Sequence, residues 1–391
     1  MRAVKFRDFG RLDWKVSALG FGCMRLPAMD GNLLGPNIDQ GEAQRMIHCA
    51  IDGGVNYFDT AYVYHDGASE VVLGKALLGS RREKVKLATK LPVWLVESGA
   101  DFDRLLNEQL RRLRTDHIDF YLLHALNRAR WRDVVLRHDL LEKADAAIGQ
   151  GRIRHLGFSF HDSCEGLPEI LDGWDRWALC QIQYNYMDTE NQAGVKGLKL
   201  AAAKGLAVVV MEPLLGGRLA NPPAPIREVI DHAAARRSPA DWALQWLWDQ
   251  PEVAVVLSGM STLPQVEANL ESANHSRVHC FEAADFALID QLRRKYRERT
   301  LIPCTQCNYC MPCPNGVNIP LNFEIFNDAH LHEDLPGAQL RYRLFLAADA
   351  RADACVDCGA CEEQCPQQIP IRDWMPKVNA RLSQPPSQPA K

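Results

Sequence analysis

A chain of 391 residues, 47% of them apolar and 24% charged, can bury a large core, and its length admits two or three domains. The formal net charge of −4 offers no basic surface for nucleic acid, which leaves small-molecule chemistry as the expectation. The start, Met-Arg-Ala-Val-Lys-Phe-Arg-Asp, holds no apolar segment of signal-peptide length, and no run of about 18 apolar residues occurs, so a cytoplasmic protein without a membrane partner is expected.

In chain order, Val16–Gly22 reads as a first strand, preceded by a short polar stretch. Asp39 is placed to cap a helix running to about Asp52, which Gly53 and Gly54 end. Strand-like runs follow at 55–59, 85–89, 118–123, 155–159, 179–184, 207–212 and 253–258. Helical patterns fall between them at about 69–78, 101–114, 139–150, 163–172, 192–204, 239–249 and 264–274. This alternation favours a closed (β/α)8 barrel, the TIM-barrel class of α/β fold; an open doubly wound sheet shares the local pattern, but no strand is followed by Gly-x-Gly-x-x-Gly. Residues 283–299 form an amphipathic helical pattern with a basic end, Arg293-Arg-Lys-Tyr-Arg-Glu-Arg299, either a solvated face or a dock for an acidic electron carrier. Composition changes abruptly at Pro303. The expected domains are therefore a barrel over 1–300, a cysteine-rich module over 301–382 and a disordered tail over 383–391.

Three of the strand runs finish on an ionisable side chain. Asp59 ends Gly54-Val-Asn-Tyr-Phe-Asp59 with Tyr64 five residues later, Lys90 ends a second run, and His124 ends Ile118-Asp-Phe-Tyr-Leu-Leu-His124. In a parallel barrel the carboxyl ends of the strands meet on one rim, where catalytic side chains sit. The order Asp59, Tyr64, Lys90, His124 resembles the catalytic tetrad of the aldo-keto reductases, and Phe58-Asp-Thr-Ala-Tyr-Val-Tyr64 resembles that family's signature. The chemistry is coherent. A carbonyl reduced by hydride leaves an alkoxide that needs a proton, and a tyrosine with a pKa of about 10 releases one poorly near neutrality. Lys90 is expected to lower that pKa, Asp59 to hold Lys90, and His124 to hydrogen-bond the carbonyl oxygen. Singly each residue has an ordinary structural reading; at three converging strand ends the catalytic one prevails.

The resemblance also implies a nicotinamide cofactor, NADH or NADPH, contacted by Gly22, Ser159, Gln181, Met211, Leu214, Gly217, Gly259, Gln265 and Asn269. Leu156-Gly-Phe-Ser159 and Cys180-Gln-Ile-Gln-Tyr-Asn185 resemble the family's carboxamide-binding strand ends, and Ser258–Asn269 its loop around the adenosine phosphate. Departures exist: Phe160 stands where many members carry Asn, and Met211 where an aromatic often stacks on the nicotinamide. Gly259 and Gln265 occupy places where members preferring the phosphorylated cofactor often put Lys or Arg, and no cation lies between Leu257 and Ser276, which leans toward NADH. Trp94 and Ala125–Trp131 are expected to line the mouth of a pocket for a small-molecule carbonyl or alcohol substrate.

The module holds eight of the chain's 13 cysteines. Cys304-Thr-Gln-Cys-Asn-Tyr-Cys-Met-Pro-Cys-Pro314 and Cys355-Val-Asp-Cys-Gly-Ala-Cys-Glu-Glu-Gln-Cys-Pro366 match or nearly match the ferredoxin run of three cysteines at Cys-x-x-Cys spacing and a fourth before Pro. Zinc is the competing ligand. The module resembles a small, mainly helical two-cluster ferredoxin domain. Because the fourth cysteine of each run ligates the other cluster in such proteins, Cys304, Cys307, Cys310 and Cys365 are assigned to one [4Fe–4S] cluster, and Cys355, Cys358, Cys361 and Cys313 to the second. Cys23, Cys49, Cys164, Cys180 and Cys280 read as packed thiols. The whole reads as an oxidoreductase with clusters for electron transfer; the rivals are an electron-transfer protein using the barrel as a platform, and clusters that are purely structural or sensing.

Overall fold

The computed structural model describes residues 4–31, 33, 35–331 and 335–384; part of the tail expected to be disordered, from residue 385 on, lies outside them. Two strands, β1 (Phe6–Phe9) and β2 (Leu12–Ser17), pair as an antiparallel hairpin. Eight more, β3 (Leu19–Gly22), β4 (Tyr57–Asp59), β5 (Lys86–Leu91), β6 (Ile118–Leu126), β7 (Ile153–Phe160), β8 (Leu179–Gln183), β9 (Ala207–Met211) and β10 (Val253–Ser258), run parallel and close into a barrel through β10 against β3. The expected first strand therefore needs correction. Val16 and Ser17 belong to the hairpin, and the chain changes partners at Ala18, whose N–H bonds Lys5 while its carbonyl accepts from Val256. Both stretches are apolar and extended, so the sequence pattern runs through the corner.

The hairpin plugs the amino-terminal end of the barrel. Phe9 sits 4.7 Å from the Phe120 ring and 5.2 Å from Trp14, over a buried layer that includes Tyr57, Ala88, Leu122, Leu179, Val209 and Val255. Gly10 turns this hairpin at φ 55°, and a Cβ there would lie 2.4 Å from the Ala207 nitrogen, so only glycine fits. With that end filled by side chains, a ligand site is left to the carboxyl rim.

Helices cover the outside. Asp39 accepts from the Glu42 N–H at the start of Gln40–Asp52, as its position in the sequence predicts. Helices Ala68–Ala76 and Ala100–Leu113 flank β5. Helix Ala224–Asp231 and a π-type turn at Trp131–Leu136 are additional elements.

The chain divides into two compact units. One comprises residues up to Ala220 together with Ala240–Phe281; the other comprises Asn221–Pro239 and the chain from Glu282. Within the second unit, helix Ala283–Arg299 begins at a capping box of Glu282 and Asp285 and packs on Ala224–Asp231. Helices Ile319–Leu331, Leu335–Phe345 and Ile371–Leu382 build its core from Val317, Phe323, Tyr342, Met375 and Val378. No helix among the described residues is long and apolar enough to cross a membrane.

Behind β5 the first unit buries a carboxylate. Glu70, 0% exposed, accepts from Thr89 Oγ1 at 2.6 Å, Gln109 Nε2 at 2.8 Å and Arg112 at 3.2 Å. Gln109 also donates to the Lys90 carbonyl, tying this network to the strand end. Arg112→Ala would strand Glu70 as a buried charge without its countercharge. The expected loss is roughly 3 kcal/mol of stability, read by denaturant unfolding, and a loss under about 1 kcal/mol would show that the charge is compensated elsewhere.

Candidate active site and cluster sites

Strand register decides which side chains share the rim. Gly22 pairs with Asp59, Asp59 with Ala88, Lys90 with Leu122, Ser159 with Gln181, and Gln183 with Met211. The four residues expected to act together do meet. Lys90 Nζ donates to Asp59 Oδ1 at 2.6 Å, to the Thr60 carbonyl at 2.7 Å and to Tyr64 Oη at 3.3 Å. An ammonium has three protons, so all are committed. Tyr64 Oη accepts from Lys90, and its own O–H remains available. Tyr64 opens a tight turn in which His65 and Asp66 take left-handed conformations at φ 52° and 53°. His65 locks that turn: its Nδ1 is 2.7 Å from the Gly35 carbonyl, and its Nε2 accepts from Leu26 N–H.

Electrostatics modify the expected picture. Burial pulls the Lys90 ammonium down, but Asp59 and Tyr64 outweigh it and its pKa stands above that of a free lysine. Burial pushes the Asp59 carboxyl up, and Lys90 only partly opposes this. For Tyr64 the expected lowering by Lys90 is present but is not the larger influence: burial dominates and the phenol stands above its ordinary value. The tyrosine is thus held protonated. His124 is driven well below the usual histidine range, first by burial and then by Lys90, His161 and Arg130, so its ring is neutral. Its Nδ1 is buried without a hydrogen-bond partner. The His124 ring lies 6.1 Å from Tyr64 and 5.0 Å from Trp94, which places Trp94 at the mouth as expected.

The expected cofactor contacts are spread around the same rim. Ser159 Oγ accepts from the Ala125 N–H at 2.7 Å, leaving its O–H to donate. Gln181 is buried with Oε1 unpartnered. A carboxamide, which both donates and accepts, fits this pair. Met211 is half-buried at the end of β9, and after Leu214 the residues Leu215, Gly216 and Gly217 follow with φ of 47°, 66° and 95°. At Gly217 a Cβ would meet nothing within 4 Å, so this loop faces open space. Gln265 is exposed and accepts from Ser261 N–H, whereas Asn269 is buried and donates to Ser258 Oγ at 2.9 Å.

Arg25 was not expected here. From the loop after β3 it donates to the Gly216 carbonyl at 2.8 Å, and its stem lies along Gly259. A cation therefore reaches this region from another loop, which a search confined to residues 257–276 cannot find. Its signal in the sequence is only its position three residues beyond Gly22. Thr60 was also missed; it acts through its carbonyl, which leaves no side-chain signature.

In the second unit the cysteines gather in two sets of four. One cavity is lined by Cys304, Cys307, Cys310 and Cys365, the other by Cys313, Cys355, Cys358 and Cys361, and Ile319 borders both. Each set is three thiols from one run and the fourth from the other. The two runs repeat one backbone pattern. Left-handed residues recur at Gln306 and Asp357, at Asn308 and Gly359, and at Gly316 and Gln368. Burial pushes Cys307 up to about 11, Cys310 to about 12 and Cys361 to about 11. Thiols so placed need a bound cation to become thiolates, which suits an iron–sulfur core. Of the other five cysteines, Cys23 and Cys180 are buried, Cys49, Cys164 and Cys280 are half-buried, and none is bridged.

Comparison with known proteins agrees with this geometry. The model of the Aldo/keto reductase family matches residues 18–294, and that of a 4Fe-4S dicluster domain matches residues 303–369. The 6-dehydroglucose reductase of Novosphingobium aromaticivorans is 28% identical over 289 residues, 68% of this chain and 90% of that protein. Among solved structures, the holo form of an aldo-keto reductase from Bacillus halodurans superposes with a TM-score of 0.61 at 28% identity, covering 74% of this chain and 96% of the other. An aldo-keto reductase from Klebsiella pneumoniae in complex with NADPH gives 0.60 at 26% identity, covering 74% and 95%. With a closed eight-strand barrel, the tetrad geometry at its rim and a family match over more than half its length, the chain belongs to the aldo/keto reductase family and carries a C-terminal 4Fe-4S dicluster domain.

Proposed function

We propose that the barrel reduces a small-molecule carbonyl, or oxidises the corresponding alcohol, with a nicotinamide nucleotide as hydride carrier. The observation that carries this reading is the Lys90 ammonium bonded at once to Asp59 and to Tyr64 Oη. Tyr64, kept protonated by burial, gives its O–H proton to the carbonyl oxygen as charge develops there. The phenolate left behind is stabilised by Lys90, whose own charge Asp59 maintains. Neutral His124 offers one ring N–H to the same oxygen and fixes its direction. Tyr64→Phe should lower turnover at least about a hundredfold while nicotinamide nucleotide still binds; near wild-type turnover would refute the assignment.

Ser159 and Gln181 would hold the carboxamide, Met211 would cover a ring face, and the Leu214–Gly217 loop with Arg25 would receive the pyrophosphate. The Arg25 guanidinium bonds the Gly216 carbonyl in that loop while its stem lies along Gly259, so it would serve a phosphate common to both nucleotides, and the lack of a cation between Leu257 and Ser276 supports a preference for NADH. Arg25→Ala should weaken NADH and NADPH by similar factors, about tenfold, in direct titrations. Selective loss of NADPH affinity would place the guanidinium on the extra phosphate and overturn the NADH preference.

The eight module cysteines would hold two [4Fe–4S] clusters, each ligated by both runs, which pass single electrons. The exposed Arg294 and Arg297 would meet an acidic electron carrier. The exposed Cys358 at the second set keeps a second reading in play, in which the module is the working part and the barrel a platform. Anaerobically purified protein should contain about eight irons per chain, and Cys365→Ala should lower this to about four. Two zinc ions per chain, or iron in Cys365→Ala equal to wild type, would refute the two-cluster, crossed arrangement.

A further inference from the structure

Three arginines follow His124, two of them within Ala125–Trp131, the segment expected to line the substrate mouth. Arg128 pairs with Asp162 at 3.2 Å, and Arg132 pairs with Glu169. Arg130, between them, has no carboxylate within ion-pair distance among the described residues. Its guanidinium lies 5.2 Å from the centre of the Trp94 ring, and Trp94 in turn lies 5.0 Å from His124. One of its nitrogens donates to the Ala125 carbonyl at 2.7 Å. That bond, with the Ser159 contact to the Ala125 N–H, holds Ala125 in a left-handed conformation at φ 54° directly after the catalytic histidine.

An unpaired, half-buried cation is costly unless something anionic reaches it. Desolvation lowers the Arg130 pKa, and no acidic neighbour raises it back. The nearby imidazoles cannot balance it, since protonation would only add positive charge; His124 and His161 are both held neutral, His161 at about 4. Lys90 already has Asp59. Glu212 acts on Tyr64, whereas Arg130 stands near His124 with no carboxylate partner of its own among the described residues. A guanidinium within cation–π reach of an indole and tethered by one nitrogen to the Ala125 carbonyl is held in place, and its remaining N–H groups match a planar carboxylate.

We infer that Arg130 receives a carboxylate on the substrate, so that the compounds whose carbonyl rests on His124 are carbonyl acids and not neutral aldehydes or ketones. This rests on the reductase reading of the same site. Arg130 is in this role a specificity-determining residue: it binds the far end of the molecule while Tyr64 and His124 act on the carbonyl oxygen.

The test uses the full chain with its clusters and two isosteric probes, 4-carboxybenzaldehyde and its methyl ester. Wild type should prefer the acid by roughly ten- to a hundredfold in kcat/KM, expressed mainly in KM. Arg130→Gln should bring the acid-to-ester ratio close to one, and Arg130→Lys should retain part of the preference. Equal use of acid and ester by wild type, or a ratio unchanged in Arg130→Gln, would overturn the inference and leave Arg130 as a clamp on Ala125. Calorimetric binding of benzoate against benzamide decides the point without turnover: a benzoate preference lost in Arg130→Gln supports it, and no preference in wild type overturns it. Absence of turnover with every carbonyl offered, in protein that still distinguishes benzoate from benzamide, would count against the reductase reading alone.

Discussion

A lysine ammonium buried at 1% exposure, with all three of its protons assigned, is the constraint on which the first unit depends. Desolvating such a charge is expensive unless its partners are in place before the side chain arrives. The fold supplies them from β4 and the turn after it: the Asp59 carboxylate, the Thr60 carbonyl and the Tyr64 oxygen. Behind Lys90, Gln109 and Thr89 tie the same strand end to Glu70. The hairpin plug contributes from the opposite end, because a floor filled by side chains leaves the carboxyl rim for a polar site.

The electrostatic consequence differs from simple acid activation. Burial keeps both Tyr64 and His124 in their neutral forms, so each can donate a hydrogen bond toward one oxygen without adding a charge to the pocket. In the proposed reaction Lys90 would act less by drawing a proton from Tyr64 in the free protein than by stabilising the phenolate once the proton has left. Such preorganised donors are most effective where solvent is excluded.

Much of this was legible because both halves rest on strong periodic signals. Seven strand runs were placed within a few residues of β4–β10, since parallel barrel strands are continuous apolar stretches bounded by turns. Asp59, Lys90 and His124 were visible as ionisable side chains closing such stretches. The cysteine grouping was visible because Cys-x-x-Cys spacing brings three thiols of each run together and the ferredoxin resemblance implies the exchanged fourth. What stayed hidden depended on tertiary approach. Arg25 reaches Gly216 across 191 positions of sequence, and Ala18 turns a corner within an unbroken apolar run. The direction of the Tyr64 shift could not be read either, because burial, which sets it, is a property of the folded site. The bonds of Gln265 to Ser261 and of Asn269 to Ser258 were likewise hidden, since each is made within a loop whose conformation the sequence pattern does not give.

The exchange of a fourth cysteine between the two runs has a consequence for biosynthesis. Cys304, Cys307 and Cys310 leave the ribosome well before Cys365, so the first set cannot be complete until nearly the whole module has been made. The second set draws three of its members from the later run and waits as well. On the proposed ligation, iron would complete neither set before the later cysteine run had been made, and a chain released before Cys365 would have one set incomplete. Ile319, at the start of helix Ile319–Leu331, borders both cavities.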